Sequence, residues 1–154
     1  MRKTFALTAI SAVVAMGFHE ETASARTVFA AGGYPYQGST VTGFYFNSGG
    51  ILYYPSAGSA TWVIPLTLDT FGAKNVIVRG EVFSGGSLQC LAAALTTTGS
   101  IASVSGMTTF PVTSGITFVT LSVPTVPASA QAFVQCIFSG SPGNAGLLGI
   151  EYTP

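Results

Sequence analysis

The stretch NVIVRGEVF, residues 75–83, decides the structural class of this chain. Val76, Val78 and Val82 fall on one side of an alternating pattern, and Arg79 and Glu81 fall on the other. Successive side chains of a β-strand point to opposite faces, so a period of two indicates a strand with one buried face. We therefore expect a half-buried strand here, with its valines in a core and its two charged residues facing outward.

The same alternation recurs along the chain, in ATWVIPLTLD (60–69), ITFVTLSV (116–123) and QAFVQCIF (131–138), with Gly, Ser, Pro and Asn clusters between the runs. No segment resembles the long helical crossovers that parallel strands require. The sequence therefore predicts an all-β fold, an antiparallel β-sandwich. Jelly-roll and immunoglobulin-like topologies both stay open, although Trp62 precedes both cysteines and an immunoglobulin domain places its tryptophan between them. Pro65 has no backbone N–H to donate to a neighbouring strand, which indicates an edge strand or a bulge.

One segment, Leu88–Leu95 (LQCLAAAL), fits two secondary structures. Its leucines and alanines match the helical spacing of i, i+3, i+4 and i+7, and they also match a strand alternation. A helix of eight residues is marginal without tertiary support. The flanking segments are β-like, so we predict a strand.

The two cysteines, Cys90 and Cys136, are predicted to form a disulfide. An even cysteine count in an exported chain indicates a structural bridge. Redox or metal chemistry is disfavoured, because there is no Cys-x-x-Cys motif and no neighbouring Lys or His to lower a thiol pKa.

The N-terminus has the order of a secretory signal peptide. Basic Arg2 and Lys3 precede a 14-residue apolar run (5–18), a short polar piece, and Ala23-Ser24-Ala25. That run is shorter than the roughly 20 residues that span a bilayer, and the small-x-small triplet predicts cleavage after Ala25. We expect residues 1–25 to be removed with His19, the only histidine. Residues 26–154 then form a single exported domain with no membrane span, extracellular or, in a Gram-negative bacterium, periplasmic.

The predicted mature chain is very poor in charge. It holds three basic and three acidic residues, Arg26, Lys74, Arg79, Asp69, Glu81 and Glu151. Three basic side chains are too few for the phosphate contacts that nucleic-acid binding needs, so we exclude that function. The same count argues against docking on anionic lipid.

We expect no catalytic residues, no metal site and no cofactor. Without histidine, a serine nucleophile has no ordinary base, and Lys74 is expected to be solvated rather than paired with a serine. Transition-metal sites lack ligands, whereas calcium held by backbone carbonyls and one carboxylate stays open. Glycoside hydrolysis by Glu81 or Asp69 is a remote alternative. A surface ion pair between Arg79 and Glu81 explains both residues more simply.

Binding is therefore the expected role. The leading hypothesis is a non-enzymatic exported β-sandwich that acts by association with itself or another protein, since its neutral strands lack the charges that normally protect exposed edges. The alternative is a carbohydrate-binding module, since tyrosines can stack on sugar rings and also offer a hydroxyl. Its candidate surface residues are Tyr34, Tyr36, Tyr45, Tyr53 and Tyr54.

Overall fold

The computed structural model describes residues 25–36, 44–54, 58–128 and 130–154, and these residues form a two-sheet β-sandwich. The predicted signal peptide, apart from Ala25, lies outside the described residues. The elements are β1 (Arg26–Phe29), a 3-10 turn (Ala30–Gly32), β2 (Tyr34–Pro35), β3 (Tyr45–Phe46), β4 (Leu52–Tyr53), β5 (Gly58–Leu66), β6 (Gly72–Val82), β7 (Gly86–Leu95), β8 (Ile101–Val104), β9 (Thr108–Thr109), β10 (Thr117–Val126), β11 (Gln131–Gly140) and β12 (Ala145–Tyr152).

The strands divide into two antiparallel sheets. Sheet A has the order β10-β6-β12-β4-β3, with β1 also paired to β12. Sheet B has the order β2-β5-β11-β7-β8, with β9 also paired to β7. The predicted antiparallel β-sandwich is confirmed.

The chain changes sheets between successive long strands. In chain order, β5, β6, β7, β10, β11 and β12 belong to sheets B, A, B, A, B and A. Consecutive long strands therefore face each other across the core instead of pairing as a hairpin. Each pairing between two of these long strands joins segments far apart in the sequence, which makes the fold depend on long-range contacts.

The core lies between the sheets, where the alternating residues of the long strands meet. Val76 and Val78 of β6, Leu121 of β10 and Val134 of β11 are fully buried there. The inward set of NVIVRGEVF is thus the one that its alternation predicted. Since the face of each strand is fixed by this parity, the outward residues of both sheets are fixed as well.

The predicted disulfide is confirmed and lies in the core within sheet B. Cys90 of β7 and Cys136 of β11 are direct cross-strand partners, with a Cα–Cα distance of 4.1 Å. Their sequence separation is 46 residues, so the bond closes a long loop.

Two local predictions are also resolved. Leu88–Leu95 is strand, as part of β7. Pro65 lies beyond the short pairing of β2 with β5, which reaches only Trp62 and Val63, so β5 is an edge at Pro65 within the described residues. That exposed position needs no ladder donor, which is why a proline is tolerated there.

Candidate functional site

The outer face of sheet A carries a row of exposed side chains across four neighbouring strands. Phe118 of β10 pairs with Arg79 of β6, Arg79 pairs with Gly149 of β12, and Gly149 pairs with Phe29 of β1. Phe118 is 70% exposed and Phe29 is 63% exposed. We call this surface, together with the residues described below that share it, the Arg79 face.

The centre of this row is an ion pair. Arg79 donates from Nη2 to Oε2 of Glu151 at 2.6 Å, and both side chains are substantially exposed. Beside them, Phe29 and Leu148 help to line a shallow depression of about 180 Å³. Gly149 contributes no side chain to the row, and a Cβ there would lie 2.5 Å from the backbone oxygen of Val28.

The expected ion pair between Arg79 and Glu81 is wrong. The two residues do share the outer face of β6, but the carboxylate of Glu81 accepts a hydrogen bond from Tyr53. Arg79 instead reaches Glu151 on the adjacent strand. Glu81 is buried, with only 8% of its surface exposed.

Glu81 belongs to a second row on the same face. It pairs with Gly146 of β12, which pairs with Tyr53 of β4, which in turn pairs with Tyr45 of β3. The Tyr53 hydroxyl donates a hydrogen bond to Oε1 of Glu81 across the intervening strand. Tyr45 stacks on Tyr53, with ring centroids 5.6 Å apart and an interplanar angle of 22°.

Gly146 is the residue that permits this bond. A Cβ at this position would lie 2.7 Å from Cγ2 of Ile51 and 2.8 Å from Cε1 of Tyr53. The aromatic ring therefore occupies the space in which any other residue would place its side chain. Only glycine lets the ring cross β12 and reach Glu81.

Burial raises the pKa of Glu81, since desolvation penalises the ionised form. The hydrogen bond from Tyr53 satisfies one carboxylate oxygen, which partly offsets the loss of water. Glu81 is thus held in place as a buried acid, hydrogen-bonded by Tyr53, whose ring stacks on the exposed Tyr45.

The structure separates the five tyrosines that the sequence suggested as one surface. Tyr34 and Tyr36 are exposed beside β5 at the edge of sheet B, and Tyr45 is exposed on the Arg79 face. Tyr53 and Tyr54 are buried, at 8% and 9% exposure, so the expectation that they face solvent is wrong. Tyr53 is covered because it lies over Gly146.

Tyr54 belongs instead to an aromatic cluster in the sandwich. Phe44 contacts Tyr54, Trp62 and Phe138, with centroid distances of 5.2, 4.8 and 5.3 Å. Trp62 also donates from Nε1 to the backbone oxygen of Ala30 at 2.9 Å. Since these rings pack on one another, they stabilise the sandwich and are not available as a platform.

The remaining charged residues are Arg26 at the start of β1, Asp69 in the loop after β5 and Lys74 near the start of β6. Arg26 forms an ion pair with Asp69. Lys74 was expected to be solvated and is instead buried, with Nζ donating to the Pro154 backbone oxygen at 2.9 Å and to the Thr70 hydroxyl. The reason is local. Lys74 lies at an inward-facing position of β6, so its side chain runs along the core to reach these acceptors.

Sequence reasoning missed the two most exposed aromatic residues of the Arg79 face, Phe29 and Phe118. The signal for Phe118 was present, because Val119, Leu121 and Val123 set the inward parity of β10 and place Phe118 outward. For Phe29 only a four-residue strand was available, which is too short to fix a face by pattern alone.

The described residues hold neither a metal-binding cluster nor a membrane-spanning helix. Among residues 25–36, 44–54, 58–128 and 130–154, no group of three or more His, Cys, Asp or Glu side chains is placed to hold a metal ion. In the same part of the chain, no helix has the length and apolar character needed to cross a membrane.

Comparisons with known proteins give similarity at the level of structure. No family model and no curated protein matches the sequence. The C-terminal CBM6 domain of the laminarinase LamC from Zobellia galactanivorans is similar, with a TM-score of 0.59 and 18% identity over 85% of this chain and 100% of that chain.

Parts of two larger enzymes are similar as well. An exo-β-1,3-galactanase from Phanerochaete chrysosporium, solved with galactose, has a TM-score of 0.55 and 17% identity over 84% of this chain and 29% of that chain. An isomalto-dextranase from Arthrobacter globiformis T6, solved with panose, has a TM-score of 0.54 and 17% identity over 84% of this chain and 23% of that chain. This chain thus spans under a third of either enzyme, and at these identities the likeness establishes a shared β-sandwich fold.

Proposed function

We propose that the protein binds carbohydrate through the Arg79 face, as an exported module that does not itself transform the sugar. The observation that carries this proposal is the row of Phe118, Arg79 and Phe29 across adjacent strands. Two exposed rings flank a guanidinium–carboxylate pair on an open surface.

The chemistry of that row suits a sugar chain. Aromatic faces pack on the apolar C–H face of a sugar ring, and Arg79 and Glu151 supply hydrogen-bond donors and acceptors for hydroxyl groups. The two phenylalanines are three strand spacings apart, about 14 Å. The surface has that length, and no described residue closes it at either end. It therefore favours an internal segment of an oligosaccharide chain over a single sugar unit.

The fold supports the same proposal without deciding it. A carbohydrate-binding module and portions of two carbohydrate-active enzymes share the sandwich. A common fold hosts many functions, so the weight rests on the side chains of the face.

The positions of the carboxylates support binding without catalysis. A glycosidase places two carboxyl groups about 5–10 Å apart around the scissile bond. Glu151 pairs with Ile77, four residues from Glu81 on β6, so the two strand positions are about 14 Å apart. Both acids are also engaged, Glu81 by Tyr53 and Glu151 by Arg79.

The test measures retention of the protein in native gels containing soluble neutral polysaccharides, with affinity then determined by calorimetry for any polysaccharide that retards it. We expect Phe118→Ala and Phe29→Ala each to weaken binding about two- to tenfold, the equivalent of about 0.5–1.5 kcal/mol for one aromatic contact. The matched control is Phe71→Ala, because Phe71 is 73% exposed but lies in a loop that leads into β6, away from the Arg79 face.

Binding that survives both face variants, or that falls equally in the Phe71 control, contradicts the assignment of the Arg79 face. Release of reducing sugar by the wild-type protein, abolished in Glu81→Gln, contradicts the non-catalytic part of the proposal.

A further inference from the structure

The charged residues of the described chain are distributed very unevenly over the two sheets. The six strands of sheet B contain no Asp, Glu, Lys or Arg at all. All six charged side chains of the described residues lie on sheet A strands or in the loop after β5. They are Arg26, Asp69, Lys74, Arg79, Glu81 and Glu151.

The outer face of sheet B, which we call the neutral face, is built from apolar and uncharged polar side chains. Cys90, Cys136 and Trp62 point into the core, so their strand neighbours point outward. Three cross-strand rows result from the pairing of β7 with β11 and of β11 with β5. They are Leu91–Gln135–Val63, Ala93–Phe133–Pro65 and Gln89–Ile137–Thr61.

The side chains at the centre of the neutral face are buried or half-buried. Val63 and Ala93 are buried, at 5% and 1% exposure, while Leu91, Phe133 and Ile137 are half-buried beside them. The more exposed rings near this face, Tyr34 and Tyr36, lie at its edge. This differs from the Arg79 face, where exposed rings stand on either side of a charged pair.

The size of the neutral face falls at the lower end of the range for a standard dimer contact. The six strands of sheet B contain 37 residues, and each residue covers about 3.3 Å along its strand and about 4.8 Å across it. The resulting area is roughly 600 Å², against the roughly 600–1,000 Å² that each partner contributes to a standard protein–protein interface.

We propose that two copies of this chain pack through their neutral faces around a two-fold axis. A partner rich in charge would lose hydration against a surface that offers no counter-charge, which is costly. A second copy brings no such charges. It brings instead amide and hydroxyl groups that can both donate and accept hydrogen bonds, so the surface is complementary to itself.

This arrangement leaves the Arg79 face accessible. The two faces are on opposite sides of the sandwich, so a dimer formed through sheet B presents one Arg79 face outward from each copy. Dimerisation through the neutral face is therefore independent of carbohydrate binding through the Arg79 face.

The experiment is sedimentation velocity of the exported protein over a wide range of concentrations, comparing two substitutions with the same chemistry. Gln135→Glu places a carboxylate in the central row of the neutral face with almost no change of shape. Asn75→Asp makes the same amide-to-carboxylate change on the exposed outer face of sheet A, where Asn75 accepts a hydrogen bond from Ser122 that an aspartate can also accept. We expect the wild type and Asn75→Asp to dimerise alike.

For Gln135→Glu, we expect the dimerisation constant to weaken by about tenfold or more, because an unpaired charge would be desolvated in each copy. Gln89→Glu, in the neighbouring row, should act in the same direction and guards against a local folding defect at position 135. Circular dichroism melting curves establish that each variant is folded before its mass is interpreted.

A wild-type protein that is monomeric at every concentration overturns the proposal, and so does equal weakening by Asn75→Asp. A monomer whose retention by a polysaccharide is abolished by Gln135→Glu also overturns it, and assigns the neutral face to a glycan instead of a second copy.

Discussion

Replacement of Tyr53 by phenylalanine tests the buried contact on which the Arg79 face is built. The substitution removes only the hydroxyl that donates to Glu81 and keeps the ring that stacks on Tyr45. A hydrogen bond to an ionised group contributes about 1.5–3 kcal/mol, and one between neutral groups about 0.5–1.5 kcal/mol. The free-energy cost of the substitution should therefore depend on whether Glu81 is ionised.

The sign of the pH dependence follows from the raised pKa of Glu81. Desolvation lifts this pKa above the ordinary value of 4.5, so the folded state holds the proton more tightly than the unfolded chain does. The stability that Glu81 contributes is fully present below 4.5 and is lost as the pH rises through the folded-state pKa. Loss of the Tyr53 donor destabilises the ionised form further and moves that loss to higher pH.

Urea unfolding measures the effect directly. We expect Tyr53→Phe to lower the free energy of unfolding by about 2 kcal/mol near pH 7 and by about 1 kcal/mol near pH 4. Tyr45→Phe is the matched control, because Tyr45 is 46% exposed and surface changes usually stay within about 0.5 kcal/mol. Glu81→Gln keeps an acceptor for Tyr53 without the ionisation and should remove most of the decline in stability between these pH values.

The reasoning is refuted if Tyr53→Phe and Tyr45→Phe cost the same free energy, or if the cost of Tyr53→Phe is equal at both pH values. Either outcome would mean that Glu81 does not depend on the Tyr53 hydroxyl.

Three further predictions concern the scaffold and its export. Gly146→Ala should destabilise the fold by about 1–3 kcal/mol through overpacking, whereas Gly115→Ala, where a Cβ meets nothing within 4 Å, should be nearly neutral in the same urea titration. Replacing Cys90 and Cys136 together with alanine should lower the free energy of unfolding by about 4 kcal/mol, as expected for a loop of this length, and an unchanged urea midpoint would contradict it. Mass spectrometry of the exported protein should give a chain that begins at Arg26, and an intact leader would refute the predicted cleavage.

In the long, regularly alternating strands, the sequence alone predicted which side chains face the core and which face outward. The valines of β6 alternate, as do Val119, Leu121 and Val123 of β10, and all of them are buried as that alternation required. The disulfide could be predicted equally well, because a chain with only two cysteines has one possible intramolecular pair. For Leu88–Leu95 the β-like neighbours gave the right answer where its own spacing did not.

The partners of the outward residues could not be obtained in the same way. Arg79 and Glu81 are adjacent on one strand face, yet Arg79 binds Glu151, 72 residues away, and Glu81 accepts from Tyr53, 28 residues away. The absence of a side chain at Gly146 decides the second contact, and that glycine is only relevant once β12 is known to lie between β6 and β4.

The sequence by itself determined the structural class, the faces of the regularly alternating strands β5, β6 and β11, the disulfide and the scarcity of charge, since each depends on composition or on a period of two along one strand. Tertiary structure alone decided that the tyrosines separate, that Phe29 and Phe118 share a surface with Arg79, and that one sheet has no charge. The physical reason is that strand order and register are chosen by the packing of both sheets at once, and a local pattern carries no information about which distant strand will lie beside it.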